Sequence, residues 1–162
     1  MSHHLHLRAV AETDVKDDHA FLAAFMSTAW DNHEVECAAG VADSIEKDSA
    51  TLHDLYGTSA DDASRLPVYG GRPPSGAPAD RPADPPLTVL DPAGVRGAAA
   101  FLTAVSFDEL WSAAGDGIHA SFGPGWSETL VREIHLGHHG GLRAFYGRAA
   151  AAGHAVVKAG WS

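Results

Sequence analysis

The stretch GLRAFYGRAAAAGHAVV, residues 141–157, decides how the chain ends and with it the fold. Leu142, Phe145, Tyr146 and Ala149 recur three and four positions apart, the spacing of one helical stripe. The alanine run 149–152 combines high helix propensity with little bulk, so a second element can pack closely against it. Gly153 stops the helix. AVVKAG, residues 155–160, then reads as a final β-strand. A helix that hands over directly to a strand predicts that residues 142–159 fold back into the middle of the protein and serve cohesion.

The segment HLGHH just before it raises a competing reading, a metal site built from His135, His138, His139 and His154. Zinc wants three or four converging ligands. His135 and His139 are four apart, one helical face if the helix is unbroken, but Gly137, Gly140 and Gly141 argue against a continuous helix. No Glu follows the first histidine as in the zincin motif, and no cysteine or carboxylate pair completes a ligand set. No metal and no cofactor is expected, and these histidines read as surface and helix-end residues.

Working towards the N-terminus, LTVLDPAGVRGAAAFLTAV, residues 87–105, predicts a short strand and a helix. Asp91 stands at the cap and Pro92 at the first helical position, where its missing N–H costs nothing. Ser106 and Glu109 have the spacing of a capping box, so a second helix starts there; Gly115 and Gly117 are expected to end it near Ala114. Ser127 to Leu136 is expected to be helical. The tract 70–86, GGRPPSGAPADRPADPP, holds six of the nine prolines and predicts a surface loop within the domain. VADSIEKDSATLHDLYG, residues 41–57, reads as one helix with Val41, Ile45, Leu52, Leu55 and Tyr56 inward and Gly57 at its end. Phe21, Leu22, Phe25, Met26, Ala29 and Trp30 mark another helix, and residues 5–10 a first strand. Strands alternating with helices in a chain of 162 residues point to one domain of class α/β bordering on α+β, a three-layer α-β-α arrangement with a small mixed sheet flanked by helices.

Charge limits the partners. Residues 1–66 carry 13 acidic and 4 basic side chains, residues 67–162 carry 8 and 7, and the whole chain is at −10. Such a field repels phosphate backbones, so no nucleic acid is expected, whereas a basic protein partner is permitted. No run of about 18 apolar residues exists, so no membrane span is expected. MSHHLHLRAV has no basic region leading into an apolar one, and Cys37 is the single cysteine; both fit a cytoplasmic location. Trp30 and Trp111 suit a core. No nucleophile elbow, phosphate loop or dinucleotide fingerprint occurs.

Several segments resemble, in order, those of the YfbM-like family of bacterial proteins of unknown function: IEKDSATLHDLYG, LPVYGGRPP, LTVLDPAGVRGAAAFLTAVSFDEL and, most recognisably, LRAFYGRAAAAGHAVVKAG. The tryptophan expected after Asp48 is absent. The resemblance implies a compact three-layer fold and no established activity. It carries no catalytic residues over, and it marks Leu52, His53, Gly70, Gly71, Phe145 and Tyr146 as positions to inspect. The leading expectation is a non-catalytic binding or protein-interaction module, in one version an immunity-type protein turning an acidic face to a basic partner. The alternative is a small-ligand binder or enzyme using histidine acid/base or metal chemistry, with His53, Asp54, His138, His139 and Tyr146 as candidate ligand-binding residues. A homodimer is the third expectation.

Overall fold

The computed structural model describes residues 3–162; Met1 and Ser2 of the N-terminal stretch lie outside them. Four strands are found among the described residues: β1 (His4–Val10), β2 (Ala42–Glu46), β3 (Leu87–Leu90) and β4 (Ala155–Trp161). Six α-helices accompany them: α1 (His19–Asp31), α2 (His33–Ala38), α3 (Ser49–Tyr56), α4 (Pro92–Ala104), α5 (Phe107–Phe122) and α6 (Glu128–Ala151). The strand order is β2-β1-β4-β3, and every neighbouring pair is antiparallel. The domain is therefore α+β, and the expected mixed sheet is corrected to an antiparallel one. β1 and β4 lie at its centre, so the first and last strands of the chain pair with each other.

Alternation along the strands sends side chains to two separate cores. Leu5, Leu7, Ala9, Ile45, Leu90 and Val156 face a large core closed by α3, α4, α5 and α6. Val10, Leu87, Val157 and Ala159 face a smaller core closed by Leu22 and Met26 of α1. These are the two outer layers of the three. Phe145 and Val157 have essentially no exposed surface, as the reading of the C-terminal stretch requires.

Three local expectations are corrected. Residues 41–57 are not one helix. Ala42–Glu46 is a strand in register with β1 (Leu5 opposite Ile45, Leu7 opposite Asp43), and Lys47 turns the chain at φ 65° before α3 begins. Ile45 reaches the large core from the strand as it would from a helix, so periodicity could not separate the two. The edge of β1 needs backbone partners, and that need decides for the strand.

α5 does not end near Ala114. It continues to Phe122, because Gly115 is a packing position: a Cβ there would stand 2.6 Å from the Trp111 ring. The helix ends instead at Gly123, whose φ is 90°. The expected caps at Asp91 and Ser106 are present, accepting from the Gly94 N–H at 2.7 Å and the Glu109 N–H at 3.3 Å, and Ser127 caps α6 by accepting from Leu130 at 3.2 Å.

The largest correction concerns α6, a single helix of 24 residues running through Gly137, Gly140, Gly141 and Gly147. Each glycine costs about 1 kcal/mol relative to alanine. Burying Val131, Leu142 and Phe145 contributes about 1.5–3 kcal/mol apiece, so the buried stripe outweighs the four weak positions. His135 and His139 belong to that stripe and are buried.

Candidate functional site

The histidines of α6 meet α3 along a polar seam. His135 Nδ1 donates to the Val131 carbonyl at 2.8 Å, which fixes its tautomer and leaves Nε2 to accept from the Thr51 hydroxyl at 2.7 Å. His139 Nδ1 and the Tyr56 hydroxyl are 2.9 Å apart within the core. His138 Nε2 faces the Asp48 carboxylate at 3.1 Å. Burial lowers the pKa of His135, and of His139 with a further push from the Arg143 charge. Burial thus favours the neutral form of both; the two ring nitrogens of His135 and Nδ1 of His139 are committed to the fold. Asp43 of β2 closes the seam beside Gly141, and burial raises its pKa. Among the described residues no group of three His, Cys, Asp or Glu side chains is placed to hold a metal ion.

The second feature is a groove of about 490 Å³ between the segment 65–72 and the β3–α4 junction. Its floor exists because of Lys158. This β4 lysine is 2% exposed and lies opposite Leu7 on the large-core face. Its ammonium donates to the carbonyls of Leu66 and Gly70 at 2.6 and 2.8 Å. The Tyr146 hydroxyl donates to the Pro67 carbonyl at 2.7 Å. A non-repetitive segment is thereby anchored by two core side chains. A Cβ on Gly70 would stand 2.5 Å from Leu66 Cα, and one on Gly71, where φ is 129°, 2.8 Å from the Val89 carbonyl oxygen. The Gly-Gly pair lets the backbone itself form the wall. His53, Arg65, Tyr69, Arg72 and Asp91 also line the groove.

The third feature lies on the far side of the sheet. α1 and α2 leave an open groove of about 620 Å³ lined by Phe21, Ala24, Phe25, Thr28 and Val35, with Arg8 and Glu36 among its walls. Arg8 pairs with Glu36 and lies 5.7 Å from the centre of the Phe25 ring. Val35 is 73% exposed, the most exposed of the large apolar side chains among the described residues.

The candidate residues thus fall in separate places. His53 lines the first groove, Asp54 is exposed on α3, His138 is tied to Asp48, His139 to Tyr56, and Tyr146 to Pro67. Of the positions marked by resemblance, His53, Gly70 and Gly71 meet at one groove, whereas Leu52, Phe145 and Tyr146 are core. Sequence reasoning missed Arg65, Tyr69 and Arg72, which sit on irregular backbone where no period marks them. The helical stripe that includes Phe21 and Phe25 gave no sign that both line the open α1–α2 groove.

Fold and grooves together define a three-layer α+β domain in which the buried His135, His139, Tyr146 and Lys158 are hydrogen-bonded internally. The chain belongs to the family described as Domain of unknown function (DUF1877), whose match spans residues 1–158. It is also similar to the crystal structure of YfbM from Escherichia coli, a protein of unknown function, at 14% identity and a TM-score of 0.62, over 98% of this chain and 99% of that one. That likeness bears on the fold. No curated protein matches the chain.

Proposed function

We propose that this protein is a non-catalytic interaction module that docks a basic amphipathic helix of another protein in the α1–α2 groove. The observation that carries the reading is Val35, largely presented to solvent between Glu34 and Glu36 at the edge of a groove floored by aromatic rings. From Glu12 to Asp43 the chain has eight carboxylates and one lysine, Lys16. Phe21, Phe25 and Thr28 follow one another along α1 as a ridge, which suits the side chains of a second helix laid beside it. An apolar anchor in the groove supplies affinity, while Lys or Arg flanks meet Asp31 and Glu34 and supply steering and selectivity. The internal engagement of the α6 imidazoles favours this over histidine catalysis.

A photo-crosslinking residue at position 28, in the groove, and another at position 116, on α5, test the reading in extract of the native cell. The expected result is a heterologous adduct at position 28 alone, abolished by Val35→Arg and diminishing as salt is added. Adducts confined to a second copy of this chain, or a yield indifferent to salt, would overturn it.

A further inference from the structure

We infer that the groove between segment 65–72 and the β3–α4 junction is a binding site for a small aromatic oxyanion, a planar ring carrying a carboxylate or a phosphate. The argument begins with charge. Among the described residues Arg8, Lys47, Arg72 and Arg132 pair with carboxylates. Asp17 holds Arg72 at 2.9 Å. Arg65, at the end of a short 3-10 turn (Asp62–Arg65), forms no side-chain hydrogen bond and no ion pair among the described residues, and it faces the groove. A guanidinium presents a planar fork of donors that matches an oxyanion in two bonds.

A second polar group waits in the same place. His53 lines the groove, and its Nδ1 is shielded from water and has no partner, a condition that costs free energy. The His53 ring packs against Tyr69 with centroids 4.9 Å apart, and the Tyr69 hydroxyl is held by Ser49 at 2.9 Å. Tyr69 is nevertheless 45% exposed, so a rigid aromatic face is offered to a planar ligand. The remaining charge on the groove, Asp91, is committed to capping α4 through the Gly94 N–H, where the helix terminus partly offsets it. The glycines at 70 and 71 let this wall pack directly on the backbone of Leu66 and Val89, which fixes its position beside the groove.

The test uses benzoate and phenyl phosphate as probes, with neutral benzamide and inorganic phosphate as comparisons, read by amide NMR shifts of the whole chain. Expected are saturable shifts at residues 53, 65 and 69–71 with at least one of the two ring anions; which of them binds more tightly tells carboxylate from phosphate. Benzamide and inorganic phosphate are each expected to bind about tenfold more weakly than the better anion, and Arg65→Ala to weaken that anion by about tenfold or more, the loss of one charge-assisted contact. Arg65 is exposed, so this variant keeps the fold, which its spectrum checks directly; Arg65→Lys should recover part of the affinity. Absence of saturation with both anions, shifts unchanged in Arg65→Ala, or equal binding of inorganic phosphate would overturn the assignment.

Discussion

Lys158 Nζ donates to the Gly70 carbonyl across 2.8 Å, joining residues 88 positions apart. The bond ties the central strand β4 to the irregular segment that walls the ligand groove. With the companion bond to Leu66 it explains why a lysine stands in a strand otherwise built of Ala, Val, Gly and Trp. Its aliphatic stem fills core space near Tyr146, and its head satisfies two buried carbonyls.

That burial makes the stability of the protein rise with pH above neutrality. Lys158 has its pKa lowered from 10.5 to about 7 by desolvation. Between those values the unfolded chain binds more protons than the folded one, so unfolding free energy grows as pH rises, by at most about 1.4 kcal/mol per unit from this group. Urea denaturation at pH 7, 8 and 9 should show the rise, and Lys158→Met should remove most of it. An identical slope in the variant would sink the account.

Acid should act in the same direction through His6. This β1 side chain has no exposed surface, and both its ring nitrogens lack partners. Burial lowers its pKa from 6.5 to about 4, helped by the charges of His33 and Arg8. The unfolded chain again binds the extra proton, so stability is whole above pH 6.5 and drains away as pH falls towards 4. His6→Leu removes the unpartnered nitrogens while keeping the contact with Trp30. It should raise stability at pH 7 by about 1–3 kcal/mol and flatten part of the acid limb, to which His135 and His139 also contribute. Thermal unfolding between pH 4 and 7 checks both effects; a destabilised variant would show that the ring is needed for shape.

Two helical glycines should respond oppositely to alanine. Nothing lies within 4 Å of a Cβ placed on Gly137, so Gly137→Ala should stabilise α6 by about 0.5–1 kcal/mol. At Gly115 the added carbon would overlap the Trp111 ring, and Gly115→Ala should destabilise by about 1–3 kcal/mol. Denaturant midpoints compare them directly, and a gain at Gly115 would contradict the packing described for α5.

The candidate site was legible only in part. His53, Gly70 and Gly71 stood out through resemblance, but nothing in the chain joined them to Arg65 or Tyr69. An unpaired arginine looks like any other surface arginine until its neighbours are known. His135 and His139 were noticed as a pair four apart and then set aside because of the glycines between them. The penalty was real; the compensating burial depended on α3 and β2, which the spacing of α6 does not contain.

Local chemistry, read from residues alone, determined the caps at Asp91 and Ser106, the helix-to-strand passage at Gly153, and the inward stripe from Leu142 to Ala149. Each depends on groups within a few positions of one another. Tertiary structure alone decided that Ala42–Glu46 is a strand, that α6 survives four glycines, and that Lys158 reaches Leu66 and Gly70. Backbone pairing and burial are settled by partners far along the chain, and those partners meet only when the sheet closes.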